Sequence, residues 1–266
     1  MSGSWRHATD ITDYGHDMRV AALYDIHGNM LALEATLREV RDARVDLVVV
    51  GGDVLPGPMP CETLARLLAL EIPVRFIHGN GERIVATHLA GGDISEVPQA
   101  HHEVIEWTAR QLASDQRQAI AQWPSTCDLD IPELGHTLFC HATPRNDSEI
   151  FTRVTPEERL AVVFSDVNAS VVVCGHTHMQ FDRMVGKRRI INAGSVGMPF
   201  QSPSGAYWLL LGPNVQLRRT DYDFATAAEA IRATAYPQLE ALAVRYVLSP
   251  PAEEETLQMY AGAELT

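Results

Sequence analysis

Seven residues with nitrogen or oxygen ligand atoms stand directly after apolar runs that predict buried strands. They are Asp25, His27, Asp53, Asn80, His141, His176 and His178. In open α/β sheets the carboxyl ends of the strands form the edge where ligands bind, because the loops leave a crevice there. Core packing gives no reason for such an arrangement, although a single strand-end histidine could be a satisfied packing residue. We therefore expect the seven side chains to converge on one site.

The types of ligand atom predict a metal site. Imidazole nitrogens with carboxylate and amide oxygens suit divalent ions such as Mn, Fe, Zn, Ni or Co, and no thiolate is required. Seven protein ligands are too many for one ion that keeps a position open for substrate. Two divalent metal ions that share a carboxylate fit better, since such pairs lie about 3.5–4 Å apart and clamp the attacking and leaving oxygens. They also lower the pKa of a bridging water, which makes hydroxide available near neutral pH.

The elements that must position this site begin with a βαβαβ pattern. Short apolar runs at residues 20–24, 47–50 and 73–77 predict three strands. Asn29 can cap a helix with one apolar face after the first strand, and a second amphipathic helix follows the second strand. This alternation predicts a parallel sheet with helices packed against it.

The rest of the chain predicts a helical excursion at about residues 82–123, followed by a section rich in hairpins. Further strands are expected at residues 137–140, 171–174, 181–185, 189–191, 207–211 and 215–219. Their spacing indicates partly antiparallel pairing, and C-terminal helices are expected at about residues 225–262. We expect a single domain over residues 18–266, preceded by a flexible N-terminal arm at residues 1–17.

Composition and charge exclude several functions. The 266 residues are 46% hydrophobic and 21% charged, which is ordinary for a globular protein and argues against wholesale disorder. The formal net charge of -13 repels polyanions. We expect no extended nucleic-acid binding, because that affinity comes largely from Lys and Arg that neutralise phosphates. A small phosphate ester remains a suitable partner, since bound metal cations reverse the local field.

The location is predicted from apolar segments and cysteines. The sequence has no signal-peptide pattern and no apolar run long enough to span a bilayer, so we expect no membrane association. No C-x-x-C pair occurs among Cys61, Cys127, Cys140 and Cys174. The last two end apolar runs and are expected to be small buried hydrophobic residues rather than disulfide partners. These features indicate a cytoplasmic protein.

The order of the motifs resembles that of the calcineurin-like metallophosphoesterases. It consists of Asp25-Ile26-His27, Gly52-Asp53, Gly79-Asn80, the lone His141, and Gly175-His176-Thr177-His178. More narrowly, the sequence resembles the YfcE-like branch of small phosphodiesterases in two segments, Asp25-Ile26-His27-Gly28-Asn29 and Asn192-Ala193-Gly194-Ser195-Val196-Gly197. The resemblance covers about residues 18–200. Each element alone is a weak signal, but five in order at strand ends form a specific pattern.

This resemblance implies a fold, a ligand set and a reaction class. The fold is α/β, with two packed mixed β-sheets flanked by helices and a helical insertion. One metal would be held by Asp25, His27, Asp53 and His178. The other would be held by Asp53, Asn80, His141 and His176. Asp53 would bridge the two ions, and Asp53, Asn80 and His141 would take part in catalysis. Many members are phosphodiesterases or phosphatases that work with Mn or Ni.

One position departs from the family pattern. Larger members have G-N-H followed by an acid, and that histidine lies near the leaving group, whereas this chain has Gly81 before Glu82. Proton delivery to the leaving group, typically worth about 10²–10⁴-fold, must then come from elsewhere or be absent. We hypothesise a preference for leaving groups that depart without help, unless His101 or His102 of the helical excursion folds over the site.

Four residues are candidate substrate contacts, and each has a structural alternative. Asn29 either touches a substrate phosphate or only caps a helix. Arg145 either forks onto a phosphate, which suits guanidinium geometry, or forms a surface salt bridge. His101 and His102 are either substrate contacts or a surface pair. His78, just before Gly79, either supports the metal ligands or simply packs.

Three functions are consistent with the sequence. The favoured one is hydrolysis of a small phosphodiester, such as a cyclic nucleotide, by a dinuclear metal site. The second is a phosphomonoesterase or nucleotide polyphosphate hydrolase that uses the same metals. The third is a non-catalytic interaction scaffold, as in the retromer subunit that shares this fold, but all seven expected ligands are present here. The C-terminal helices either pack on the body or form a dimer seam, so a homo-oligomer is also an expectation.

Overall fold

Two mixed five-stranded β-sheets form the centre of the computed structural model, which describes residues 18–265. The strands are β1 (Val20–Leu23), β2 (Leu47–Val50), β3 (Val74–Phe76), β4 (Thr126–Ile131), β5 (Gly135–Cys140), β6 (Val171–Cys174), β7 (Gln180–Val185), β8 (Arg188–Ala193), β9 (Ala206–Leu211) and β10 (Val215–Thr220). The arm predicted at residues 1–17 lies outside the described residues.

Eight α-helices flank the sheets in the described part of the chain. They are α1 (Met30–Asp42), α2 (Pro60–Leu68), α3 (Asn80–Leu89), α4 (His102–Gln111), α5 (Ser114–Ile120), α6 (Glu157–Val163), α7 (Phe224–Arg232) and α8 (Glu253–Tyr260). A 3₁₀ turn at Gln99–His101 precedes α4, and a π-helical segment spans Ala241–Leu248. Between residues 18 and 265, no helix has the length and apolar character needed to cross a membrane.

The first sheet has the strand order β10-β9-β1-β2-β3 and the second β4-β5-β6-β8-β7. In the first, β1, β2 and β3 are parallel, while β9 and β10 pair antiparallel. In the second, β5, β6 and β8 are parallel, with antiparallel β4 and β7 at the edges. The predicted fold of two mixed sheets flanked by helices is therefore confirmed.

One apolar core lies between the two sheets. It contains Tyr24, Val49, Phe139, Val173 and Leu209, all of them fully buried. Strands covered on both faces need continuous apolar runs, and every residue of β1, β2 and β6 is buried. Each such Val or Leu side chain stabilises the fold by roughly 1.5–3 kcal/mol, so these runs hold the sheet edge in place.

Helices cover the outer faces of both sheets. A second apolar cluster packs the five helices α1 through α5 on the first sheet, with residues such as Leu33, Leu64 and Ile105. A third cluster packs Leu160 of α6 against the second sheet. The Asn29 side chain accepts a hydrogen bond from Ala32 N at 3.1 Å, which confirms the predicted cap of α1. Ile231 of α7 packs in a fourth cluster, so the C-terminal helices pack on the body of this chain.

One strand was not predicted. Strand β4 pairs antiparallel with β5, and its interior alternates between exposed acids and the buried Leu129 and Ile131. A six-residue segment with two buried positions gives a weak local signal, and its strand state depends on the pairing with β5.

Candidate metal centre

The seven predicted ligands gather at the carboxyl edge of the two sheets. They lie in the loops that begin where β1, β2, β5 and β6 end, except that Asn80 is the first residue of α3. Five of them have a positive φ angle, namely Asp25, His27, Asp53, His176 and His178. Side-chain-bearing residues rarely adopt this conformation, and such strain persists only where the surroundings impose it. The loops therefore turn sharply and aim these side chains at one point.

Three of these residues form a first group, made of Asp25, His27 and His178. The Nε2 atoms of His27 and His178 lie 3.3 Å apart, and Nε2 of His178 lies 3.4 Å from Oδ1 of Asp25. All three side chains are almost fully buried. Two imidazole nitrogens and a carboxylate oxygen thus face one small volume.

A second group consists of Asp53, His141 and His176. Nε2 of His141 lies 3.5 Å from Oδ2 of Asp53 and 3.1 Å from Oδ1 of Asn80. The rings of His141 and His176 meet edge to face with centroids 5.2 Å apart. This group adds an amide oxygen to two imidazoles and a carboxylate.

Asp53 lies between the two groups. Its Oδ2 is 3.8 Å from Nε2 of His27 in the first group and 3.5 Å from Nε2 of His141 in the second. Its other oxygen, Oδ1, accepts a hydrogen bond from Gly81 N at 2.7 Å. One carboxylate oxygen is therefore fixed by the backbone while the other is directed toward histidines of both groups.

Backbone carbonyl oxygens orient the histidine rings. Nδ1 of His27, His141 and His178 lies 3.1, 2.9 and 2.6 Å from the carbonyl oxygens of Pro56, Gly51 and Met198, respectively. His176 is turned the other way, with its Nε2 3.1 Å from the carbonyl oxygen of Ser148. Such partners fix the ring and tautomer of metal-binding histidines, and each ring keeps one nitrogen for the centre.

The charges of the centre are strongly coupled. Burial disfavours the imidazolium form of His141, but the Asp53 carboxylate outweighs burial and raises the pKa of His141 to about 10. Burial and the charge on His141 lower the pKa of His176 to about 4. Without a metal, a proton on His141 therefore supplies part of the positive charge that the buried carboxylates require.

The residues fit two divalent cations. Oδ1 of Asp25 is buried and accepts no hydrogen bond, which is costly for a carboxylate unless a cation occupies the space beside it. Each group offers carboxylate and imidazole atoms within 4.8 Å of one another. This donor set suits Mn, Fe, Zn, Ni or Co, since it contains no thiolate.

The centre opens into a cavity of about 1100 Å³. Pockets for drug-sized ligands are roughly 300–1,000 Å³, so the cavity holds more than a phosphate group. Its floor includes His27, Asp53 and His141, and its walls come from α3, α4 and the C-terminal segment. The cavity therefore leaves room, above the two ligand groups, for a bound molecule larger than a phosphate group.

Comparison with known proteins assigns the family. A model of the calcineurin-like phosphoesterase superfamily domain matches residues 18–211, most of the chain. The chain belongs to the calcineurin-like phosphoesterase superfamily. The resemblance seen in the order of the motifs is thus confirmed, and a phosphoric ester hydrolase is the activity that this superfamily suggests.

Several known proteins are similar to this chain at low sequence identity. An uncharacterized protein of Methanocaldococcus jannaschii is 22% identical over 240 residues, which cover 82% of this chain and 94% of the relative. A metallophosphoesterase from Sphaerobacter thermophilus is 24% identical, with 86% and 97% of the chains covered and a TM-score of 0.67. A hypothetical protein from Pyrococcus horikoshii is 19% identical, with 88% and 100% covered and a TM-score of 0.73. The YfcE phosphoesterase of E. coli is similar at 19% identity, with 73% and 88% covered and a TM-score of 0.45.

The four residues that the sequence suggested as substrate contacts lie in different surroundings in the structure. Asn29 is fully buried, and its amide nitrogen faces the carbonyl oxygen of Gly197 and the hydroxyl of Tyr222 while its oxygen caps α1. The predicted cap is thus confirmed, and contact of Asn29 with a phosphate stays a prediction. Arg145 lines the cavity but forms an ion pair with Glu149, 2.6 Å from Nη2 to Oε1.

The histidines of the helical excursion also differ from each other. His101 is exposed and lines the cavity, whereas His102 is outside the lining and its Nε2 lies 2.8 Å from the carbonyl oxygen of Val97. Of the two, His101 alone lines the cavity, and its contact with a substrate stays a prediction. His78 also lines the cavity, and its Nδ1 lies 3.8 Å from Oδ2 of Asp147.

Two residues that support the centre were not singled out from the sequence. The Glu82 carboxylate is buried and accepts hydrogen bonds from the backbone N–H groups of Asp53, Gly79 and Leu55 at 2.8 to 2.9 Å. Burial and the nearby Asp53 charge raise the pKa of Glu82 to about 7. Arg83 holds the loop after His141 through two hydrogen bonds to Asp147. The acid that follows G-N-x in the family pattern was the only sequence signal for Glu82.

Proposed function

We propose that this chain is a phosphodiesterase that uses two divalent metal ions to hydrolyse a small phosphodiester. The position of Asp53 carries the proposal, because its Oδ2 faces histidines of both ligand groups at 3.5 and 3.8 Å. A carboxylate that lies between two groups of histidines can be a ligand of two cations at once. Such pairs of ions occur in many phosphatases and nucleases.

We assign the ligands as two sets that share Asp53. Asp25, His27 and His178 complete the first set, and Asn80, His141 and His176 complete the second. When bound, a pair of divalent ions polarises the phosphoryl oxygens and activates water for in-line attack. The chain's own backbone fixes the ring orientations through carbonyl oxygens and holds Asp53 through Gly81 N.

Two observations favour a diester over a monoester or a polyphosphate. Gly81 offers no side chain to protonate the leaving group, which favours esters whose leaving group departs unaided. The arginines that line the cavity, Arg83 and Arg145, are paired with Asp147 and Glu149, so neither is a spare cation for additional phosphate charge. A diester carries one negative charge at the reacting phosphate, and the metals suffice for it.

Turnover of two chromogenic substrates tests the proposal. The purified chain, stripped of metal and reloaded separately with Mn, Ni, Zn, Co or Fe, should hydrolyse bis(p-nitrophenyl) phosphate faster than p-nitrophenyl phosphate. Asp53→Asn should abolish both activities and lower the bound metal, whereas Asp128→Asn, on the exposed edge of β4, should keep them. Faster hydrolysis of the monoester would favour the phosphatase alternative, and a chain that binds no metal would favour a scaffold.

We also propose that residues 18–266 form one domain and that the protein is cytoplasmic. The contact of Leu265 N with the carbonyl oxygen of Ile150 at 2.8 Å supports the first point, because it ties the end of the chain to the loop after His141. The four cysteines support the second, since all are free thiols and Cys140 and Cys174 are buried. A small phosphate ester is the proposed partner, without extended nucleic-acid binding.

A further inference from the structure

The cavity above the metal centre has a wall built from chain beyond the family-matched region. Tyr236, Leu242 and Tyr246 line it, and all three follow residue 211, where the family match ends. Val104 and Ile105 of α4 contribute further apolar surface. The metal-binding floor is therefore polar, while this part of the wall is mainly apolar.

The C-terminal segment that forms this wall is anchored at several points. Gln238 donates a hydrogen bond to the carbonyl oxygen of Ala100 at 2.6 Å, which joins the segment to the turn before α4. Thr256 donates to the carbonyl oxygen of Phe200 at 3.2 Å. Glu264 accepts a hydrogen bond from Thr152 at 3.0 Å. These contacts to separate parts of the chain make the wall a fixed surface.

An aromatic series connects this wall to the metal centre. The Phe200 ring lies 4.4 Å from the ring of His178, a proposed metal ligand. The Phe200 ring also contacts the Tyr246 ring, with 5.2 Å between the ring centroids and an angle of 32° between the ring planes. Phe200 and Tyr246 are both half-buried and both line the cavity. Both rings therefore border the space into which an ester group would extend from a phosphate at the metals.

The charge of the cavity argues against a second phosphate above the centre. Within residues 18–265, the only lysine or arginine side chains that line the cavity are Arg83 and Arg145, and acidic partners hold both. Glu96, which also lines the cavity, pairs with Arg83 at 2.9 Å. A phosphate chain extending from the metals would therefore meet no unpaired lysine or arginine in this lining, whereas an uncharged planar group needs none.

We propose that Phe200 and Tyr246 form a specificity surface that selects phosphodiesters with a planar aromatic substituent. The inference rests on the proposed phosphodiesterase function and adds the class of ester group that the chain prefers. Stacking of a planar group on aromatic side chains changes binding by roughly tenfold or more for each ring lost. Tyr246 is the better test residue, because Phe200 also packs on a metal ligand.

Three diesters with a common p-nitrophenolate leaving group test the surface. Their retained groups are methyl, cyclohexyl and phenyl, and a thymidine 5′ ester serves as a fourth arm that distinguishes a nucleoside from a simple aryl group. Relative to uncatalysed rates, we expect kcat/KM of the phenyl ester to exceed that of the methyl ester by about tenfold or more. The cyclohexyl ester should fall between them. Equal values for phenyl and cyclohexyl, or for phenyl and methyl, would overturn the proposal.

Variants of Tyr246 identify the wall as the cause. Tyr246→Ala should reduce the phenyl-to-methyl ratio about tenfold, and Tyr246→Phe should retain it, because the ring is kept. Val244→Ala, an exposed position on the same segment, is the matched control and should keep the wild-type ratio. An unchanged ratio in Tyr246→Ala with full metal content would contradict the proposal.

A binding measurement separates the inference from the proposed function. Calorimetry with the metal-loaded chain should show tighter binding of phenyl phosphonate than of methyl phosphonate, and Tyr246→Ala should remove the difference. Absence of hydrolysis of all four diesters, with the difference in binding retained, would refute the phosphodiesterase function alone. Equal binding of the two phosphonates with normal hydrolysis would refute the aromatic surface alone.

Discussion

A Cβ atom at position 81 would lie under 3.0 Å from the carbonyl oxygen of Leu55, a separation that real Cβ atoms essentially never show. Gly81 lies where larger family members carry a histidine. Its backbone N–H also holds Oδ1 of Asp53 at 2.7 Å. The departure from the family pattern is therefore part of the local backbone geometry, in which the loop after Asp53 occupies the space that a side chain would need.

We predict that restoring the family residue lowers activity. Gly81→His and Gly81→Ala should both reduce kcat/KM on bis(p-nitrophenyl) phosphate by at least about tenfold. Both side chains force the backbone to shift, and a shift that misplaces a reacting group by about 1 Å can lower the rate about 10²-fold. Gly262→Ala is the control, since a Cβ there meets nothing within 4 Å. Higher activity in Gly81→His would show that the loop yields easily.

Glu82 is predicted to stabilise the metal loops through its three backbone hydrogen bonds. Glu82→Gln places an amide N–H₂ against at least one backbone N–H, so it should lower the free energy of unfolding by about 1–3 kcal/mol. Because Asp53 N is among the donors, metal affinity should fall as well. Urea unfolding and metal titration measure the two effects, with the exposed Glu71→Gln as control. Unchanged metal affinity would confine Glu82 to a role in folding.

Metal affinity is predicted to rise with pH. In the metal-free chain the pKa of His141 is raised to about 10, so its ring carries a proton at pH 7 that a cation must displace. Raising the pH toward 10 removes this competing proton, and the apparent affinity should increase by up to about tenfold per pH unit for one proton released. Calorimetry of Mn binding in buffers with different ionisation enthalpies counts the protons. Binding without proton release between pH 6 and 8 would contradict the coupling of His141 to Asp53.

Removal of metal is predicted to destabilise the fold. The carboxylates of Asp25 and Asp53 are both buried, one in each ligand group, and Oδ1 of Asp25 has no hydrogen-bond partner. A cation at about 100 times its Kd stabilises the folded state by about 2.7 kcal/mol, so EDTA should lower the thermal midpoint by several degrees. His178→Ala should reduce the shift, because it removes one ligand of the first group. An identical midpoint with and without EDTA would indicate that no cation binds.

The two histidines of the helical excursion are predicted to behave differently. His101→Ala should steepen the dependence of the rate on the leaving-group pKa in a series of aryl and alkyl phosphodiesters, since His101 lines the cavity. His102→Ala should leave this dependence unchanged, because its ring faces the carbonyl oxygen of Val97. A flat dependence in the unmodified chain that persists in both variants would refute the hypothesis that unaided leaving groups are preferred.

Local patterns predicted most of the strands and the position of the ligands. Strands β2 and β6 span the predicted residues. They are buried on both faces, and such strands form short uninterrupted apolar runs that can be recognised in the sequence. Strand β4 was missed, because its own sequence gives only a weak strand pattern and its extended conformation depends on the hydrogen bonds to β5. The sequence could not decide between the two roles considered for Asn29 and for Arg145. The choice depends on their hydrogen-bond partners, Gly197 and Glu149, and sequence periodicity does not reveal such contacts.

The sequence by itself determined that Asp25, Asp53, His141 and the His176–His178 pair end buried strands, and parallel strands must bring such residues to one edge. Only the tertiary structure decided which oxygen of Asp53 faces the histidines, why Gly81 carries no side chain, and that Tyr246 stands above the centre. These features depend on contacts between segments far apart in the chain, such as Tyr246 with Phe200. Local residue patterns set strand and helix positions, whereas the packing of the finished fold sets the distances between side chains.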